Sequence, residues 1–131
     1  MVMRTFMGWC AWGFTLGVPA LALSQALVPS LSRGQQLVES RCFACHSLDS
    51  NRAGPALRGV VGRQAGKAAD YVYSEALTKA THTWTPAGIR TWLTDPEQVV
   101  PGQEMFYRLD NPQDREDVVA YLVSLSPTTR K

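Results

Sequence analysis

Apolar positions recur along this chain with the spacing of helices rather than of strands. Leu37, Val38 and Cys42 can share one helical face. Ile89 with Trp92-Leu93 marks a second apolar face, and Val118, Val119, Tyr121, Leu122 and Leu125 mark a third. Nowhere do apolar and polar residues alternate for long enough to read as a strand. The punctuation between the faces agrees. Ser32-Arg33-Gly34-Gln35 reads as a capping box and predicts a helix from about Arg33 into the cysteine pair at 42 and 45. Thr85-Pro86 and Asn111-Pro112 each place a capping side chain before a proline at the first helical position. The helix after Thr85 should stop before Pro96, because the residue preceding a proline resists helical geometry. Pro127 lies just past the end of the last helix, and Asp70 to Ala80 can form a short one. Ser47 to Gly66 is rich in chain breakers and predicts a loop, and Val99 to Met105 predicts an extended, turn-rich stretch. The expected fold is all-α, with three to five helices and long loops.

The opening of the chain follows a different pattern. Arg4 precedes an uncharged, mostly apolar run from Thr5 to Leu23, and Ser24-Gln25-Ala26 then offers small residues where a signal peptidase reads. Residues 1–26 are expected to be a secretory signal peptide. An uncleaved membrane anchor is the alternative, since the run approaches membrane-spanning length. Cys10 lies between Trp9 and Trp12, which are bulky where a lipoprotein signal needs small residues, so it belongs to the run. With 131 residues in all, the remainder makes one domain: a short linker over 27–32, the domain over 33–126 and a tail over 127–131.

Charge excludes one class of function. The formal net charge of +2 falls to +1 once Arg4 is set aside, and no dense basic run of the kind that grips nucleic acid is present. The core is small for so much loop, with a few Val/Leu-rich faces in place of a deep aliphatic interior.

Cysteine usage then sharpens the picture. Cys42-Phe43-Ala44-Cys45-His46 puts two thiols and an imidazole within five residues. The thiols can add to the vinyl groups of a haem as thioethers while the histidine ligates its iron. A dithiol redox couple and half of a zinc site are the competitors. Zinc lacks ligands, since beyond residue 26 the only other histidine is His82 and there is no second cysteine pair. The dithiol reading lacks the strand–helix–strand setting it needs. A buried haem would also supply the apolar bulk that the thin core lacks. Pro55 lies nine residues past His46, and its carbonyl could accept a hydrogen bond from the second imidazole nitrogen, fixing the tautomer; an ordinary turn proline is the competing reading. A second axial ligand could come from Met105, His82 or a lysine. Met105 is the only methionine beyond the opening segment and follows Pro101-Gly102 in a loop between helices, a suitable place for a side chain aimed inward. His82, between Thr81 and Thr83, reads as a solvent-facing histidine.

Taken in order, the motifs resemble class I c-type cytochromes, the soluble mitochondrial-type and bacterial cytochrome c2-like carriers. The resemblance runs from about Gly34 to Leu125. It includes Cys42-Phe43-Ala44-Cys45-His46, Gly54-Pro55-Ala56-Leu57, Gly62-Arg63, Tyr71-Val72-Tyr73-Ser74, Trp84, Trp92-Leu93-Thr94-Asp95-Pro96, Pro101-Gly102-Gln103-Glu104-Met105 and Asp114 through Leu122. It implies a small cytochrome c fold around one haem c per chain, attached through Cys42 and Cys45, with His46 and Met105 as the iron ligands. It implies that Pro55 accepts from His46, that Tyr73 and Trp84 hydrogen-bond a haem propionate, and that Arg63 offsets the propionate charge. Gly34 matches a close crossing against Tyr121. Trp92 stands where many relatives carry tyrosine, and its indole N–H could donate towards the Met105 sulfur. The segment between His46 and Pro55 is shorter than in mitochondrial relatives. The segment after Met105 lacks the usual glycine and is one residue shorter, and the ring of lysines around the haem edge is largely missing.

The resemblance implies a monomeric, non-enzymatic electron carrier, exported to the bacterial periplasm or anchored facing it. It would exchange one electron by transient docking between a donor complex or dehydrogenase and an acceptor oxidase, reductase or photosynthetic centre. The alternatives are a haem subunit fixed to one dehydrogenase or oxidase, and a haem c enzyme or gas sensor with a vacant sixth position.

Overall fold

The computed structural model describes residues 27–127. The expected signal peptide and the end of the expected tail, 128–131, lie outside the described residues. Five helices follow one another: α1 (Leu31–Leu37, continuing as a wider π-helical turn over Val38–Cys42), α2 (Glu75–Lys79), α3 (Pro86–Thr94), α4 (Pro96–Val99) and α5 (Pro112–Ser124). The only pairing of extended chain among the described residues is a single antiparallel bridge, Gln64 opposite Thr83.

α1 begins two residues before the expected Arg33, so Leu31 and Ser32 of the expected linker are helical. Its cap is Ser30, whose hydroxyl accepts from the Arg33 amide. Ser32 is not the cap, and Gln35 reaches forward to Glu39 at 2.8 Å rather than back to close a capping box. The π turn carries one extra residue per hydrogen-bonded ring, with the Phe43 amide donating to the Val38 carbonyl. It delivers the chain directly into the tight turn at residues 43–45.

α1 packs across α5, and this is the principal helix contact of the molecule. A β-carbon on Gly34 would stand 2.0 Å from the Asp117 carbonyl oxygen and 2.9 Å from Tyr121 Cβ. The absence of a side chain is what lets the helices meet. Beside the crossing, Asp117 is wholly buried. Its Oδ1 accepts from the Ser30 amide at 2.8 Å and from Gln113 Nε2 at 2.9 Å, while Oδ2 faces Arg33 Nε at 3.2 Å, outside hydrogen-bond alignment. Val38, Val118, Val119 and Leu122 fill the contact.

α3 and α5 begin where the capping patterns predict. Thr85 accepts from Gly88 N–H, and Asn111 from Gln113 and Asp114 N–H. α3 ends at Thr94, two residues before Pro96. It buries Ile89, Trp92 and Leu93, and Arg90 ties it to Glu116 of α5 in a two-pronged ion pair. α4 was not expected; Pro96 at its first position restarts the helix for a single turn. The expected helix over 70–80 shortens to Glu75–Lys79. Asp70 takes a left-handed backbone (φ 54°), and residues 71–73 lead without regular secondary structure to the Ser74 cap.

Candidate functional site

The π turn and the turn after it fix Cys42, Cys45 and His46 together. The amides of Cys45 and His46 both donate to the Cys42 carbonyl, at 3.0 and 2.8 Å. Both cysteines are free thiols, Cys42 half-buried and Cys45 exposed. Burial first, and the neighbouring Cys45 second, push the Cys42 thiol up to about 11, so it stays protonated at neutral pH.

His46 is held on two sides by the returning loop. Its Nδ1 lies 2.7 Å from the Pro55 carbonyl oxygen, a contact in which the ring N–H donates. Its flat side is covered by Gly54, where a β-carbon would come within 2.3 Å of Cε1 and 2.7 Å of Nε2. The loop closes on the motif through Gly54 N–H to Cys45 O at 2.7 Å, and Arg52 donates a guanidinium N–H to Phe43 O at 2.7 Å. Burial pushes the ring's titration below the ordinary histidine value, and the Pro55 hydrogen bond opposes it. The result is a neutral imidazole with Nδ1 committed, which leaves Nε2 as the lone pair for a metal.

Met105 sits on the stretch from Val100 to Asp110, which has no regular secondary structure beyond its opening turn. Gly102 (φ 86°) turns the chain, and its amide donates to Glu97 Oε1 at 2.9 Å. Gln103 is buried, and its Oε1 accepts from the Met105 amide at 2.5 Å. Trp92 Nε1 donates to Met105 Sδ at 3.3 Å, so the indole takes up the task expected of it. Trp92 meets Trp84 edge-on, with ring centroids 5.0 Å apart. An open groove of about 850 Å³ runs along Asp95–Arg108 and is lined in part by Met105, by neither cysteine and not by His46. Leu109 N–H to Leu93 O at 2.8 Å and Arg108 to Asp95 at 2.8 Å return the short exit segment to α3.

The remaining expected residues form a third group. Arg63 Nη2 donates to the carbonyls of Ala56 and Arg58 at 2.8 and 3.3 Å. The Tyr73 hydroxyl accepts from Ala68 N–H at 3.3 Å, and Trp84 is buried. Asn51 ties the His46 loop to this group: its amide donates to Ala69 O at 2.8 Å and its oxygen accepts from Ala56 N–H at 3.0 Å. The Tyr71 hydroxyl adds a bond to Ala53 O at 2.5 Å.

Gly54 as the wall of the histidine, Gln103 as the clamp on the methionine and Asn51 as the loop tie were not foreseen. Gly54 acts by lacking a side chain, whereas Asn51 and Gln103 act through side-chain amides on main-chain groups. His82 corrects an expectation: its Nε2 is buried, not solvent-facing.

These residues fit a covalently held haem. Two free thiols stand next to a histidine with one free nitrogen. A glycine wall leaves room only for the flat imidazole, and a half-buried thioether sulfur is already oriented by a donor. Comparison with known proteins points the same way. The family model for cytochrome c matches residues 31–126. The cytochrome c2 of Rhodopila globiformis is 40% identical over 95 residues, covering 70% of this chain and 90% of that protein. The cytochrome c2 iso-2 of Magnetospirillum fulvum is 44% identical over 87 residues, covering 64% of this chain and 91% of that protein. Among solved structures, cytochrome cH from Methylobacterium extorquens superposes with a TM-score of 0.68 at 39% identity, covering 72% of this chain and 98% of its own.

Proposed function

The chain belongs to the cytochrome c family and is a single-haem electron carrier; we propose that it works in the bacterial periplasm, taking one electron from a donor complex or dehydrogenase and passing it to an oxidase, reductase or photosynthetic centre. Cys42 and Cys45 would carry the thioethers of a bound haem c, and His46 and Met105 would supply its iron ligands. Pro55 orients His46, Trp92 orients Met105, and Arg63, Tyr73 and Trp84 receive the propionate end. When bound, haem c supplies an iron that alternates between ferric and ferrous states.

The observation that carries the reading is the Trp92–Met105 hydrogen bond at 3.3 Å. A sulfur pre-oriented by a buried donor favours a filled sixth position, and a filled position passes electrons rather than binding oxygen or peroxide. Both proposed ligands are already oriented by neighbours, His46 by Pro55 and Met105 by Trp92, so neither side chain would need to turn between oxidation states. The residues assigned here hold, orient and shield; an enzymatic role is not proposed.

Docking is proposed to be transient and by a monomer. Lys67 and Lys79 are the only lysines among the described residues, and Lys79 is paired with Glu75, whereas Val72 and Phe106 are the most exposed large apolar side chains. Partner binding should therefore depend weakly on salt. Export rests on the apolar segment 1–26, outside the described residues. Among the described residues no helix is long and apolar enough to cross a membrane.

Optical spectroscopy of the purified protein tests the function. A low-spin oxidised spectrum with a weak far-red sulfur–iron band is expected. A high-spin spectrum at neutral pH with rapid carbon monoxide binding after reduction would replace the carrier by an enzyme or sensor. The intact mass of protein from periplasm tests export: a chain beginning near Leu27 is expected, and a full-length chain would indicate an anchor.

A further inference from the structure

Met105 belongs to a run of residues that alternate between cover and solvent. Gln103, Met105, Tyr107 and Leu109 are buried or half-buried, and Glu104, Phe106 and Arg108 between them are exposed. A slip of one residue would exchange the two sets, so the register of this run decides whether the sulfur points inward. The exit of the run is held to α3 by the Leu109 amide on Leu93 O and by Arg108 on Asp95. Its entry is held by a single carboxylate. Glu97, on α4, accepts from the Gly102 amide through Oε1 at 2.9 Å and from Gln103 Nε2 through Oε2 at 3.4 Å. The buried Gln103 in turn accepts the Met105 amide on its Oε1 at 2.5 Å.

Among the described residues no cation lies within ion-pair distance of Glu97, so its charge is given to these two N–H donors. A hydrogen bond to a charged acceptor is stronger than one between neutral groups. A buried amide also resists losing a partner, because its N–H would be left unpaired away from water. Glu97 therefore holds Gln103 in one setting, and Gln103 holds the main chain of Met105. We infer that Glu97 is a positioning residue for Met105, acting on it through Gln103 and not by contact with the sulfur. This rests on the carrier reading above, in which Met105 ligates the iron. Where the hold fails, the sulfur leaves more often and the sixth position opens to other ligands. Glu97 thus keeps an electron carrier from behaving as a ligand-binding protein.

The test measures how fast added imidazole replaces the Met105 sulfur in oxidised holoprotein, followed as loss of the far-red sulfur–iron band. Glu97→Ala should speed replacement about tenfold, the equivalent of one hydrogen bond to a charged group. Glu97→Gln keeps one acceptor oxygen and should recover part of the loss, at about threefold. Gln103→Leu should match Glu97→Ala. The double variant should be little faster than either alone, because the two residues act in series. Glu104→Gln, on the exposed side of the same run, and Glu116→Gln, which weakens the fold elsewhere, should keep the wild-type rate. A wild-type rate in Glu97→Ala, an equal acceleration in Glu116→Gln, or single effects that multiply in the double variant would overturn the inference. If Gln103→Leu does not accumulate, the Glu97 variants decide. The order alanine, glutamine, wild type, from fastest to slowest, is then required, and any other order overturns the inference. A wild-type holoprotein without the far-red band would overturn Met105 as ligand, and this inference with it. A band that is present, with rates indifferent to Glu97, overturns this inference alone.

Discussion

The surroundings of His46 and of Met105, the two proposed iron ligands, are built from different materials. On the His46 side, the imidazole is held by a main-chain carbonyl, a missing β-carbon and a loop closed by backbone hydrogen bonds. On the Met105 side, a loop without regular structure is held by Gln103, Glu97 and Trp92 side chains and borders open space. The hydrogen bond made directly to the imidazole comes from a main-chain carbonyl, whereas Arg52, Asn51 and Tyr71 tie the loop around it through their side chains. The methionine's orientation is written in side chains, and each can be changed singly.

Four substitutions probe that contrast. Gly54→Ala should have the largest effect, because the new methyl and the His46 ring cannot share the space. We expect a loss of about 3 kcal/mol in denaturant unfolding of the holoprotein. A loss below about 1 kcal/mol would show that the histidine wall yields, and the contrast would fail. Met105→Ala should leave the fold and the thioethers intact while the sulfur–iron band disappears, the potential falls and carbon monoxide binds after reduction. An unchanged spectrum removes Met105 as ligand. Trp92→Phe keeps a ring against Trp84 but loses the N–H, so it should cost about 1 kcal/mol and speed replacement of the sulfur by added imidazole. Equal replacement rates in variant and wild type would mean that the indole does not orient the sulfur. Glu116→Gln acts at a distance, on the brace that holds α3 to α5. Arg90's hydrogen bonds keep the Glu116 carboxyl below its usual 4.5, with burial opposing. The pair therefore stabilises the fold above about pH 4.5, and that contribution is lost as pH falls through the lowered folded-state value. The variant should lose less than about 1 kcal/mol at pH 7, the pair being partly exposed. Its deficit should close in acid, and a deficit that persists there would belong to packing.

How much was legible in the sequence divides along the same line. Caps, prolines and apolar spacing placed α3 and α5, because those signals act within one or two turns of chain. Cys42, Cys45 and His46 declared themselves by spacing, and Gly54-Pro55 was at hand for the imidazole. Ser30 displaced Ser32 as the cap of α1 because tertiary contact decided it: the Ser30 amide is fixed by Asp117 from the far end of the chain. The helix over 70–80 shortened because Tyr71 and Tyr73 are needed extended, bonded to Ala53 and Ala68. The Asn51 side chain reaches Ala69, 18 positions on, a contact no local pattern encodes, whereas the Gln103 clamp on Met105 spans only two positions. His82 looked solvent-facing among threonines, because the alternation that buries it depends on a strand partner only one bridge long.

The crossing of α1 over α5 bears on the order in which this protein is made. Ser30 and Asp117, which meet there, are 87 positions apart, and closing a loop of that length costs about 4 kcal/mol of chain entropy before any contact returns it. α1, which leads into Cys42, thus lacks its partner until nearly the whole polypeptide has emerged. A high contact order of this kind slows folding. Until α5 arrives, the Gly34 face of α1 has no cover from Asp117 and Tyr121. Shortening the chain before α5 should therefore leave α1 without the helix that its Gly34 face is shaped to meet.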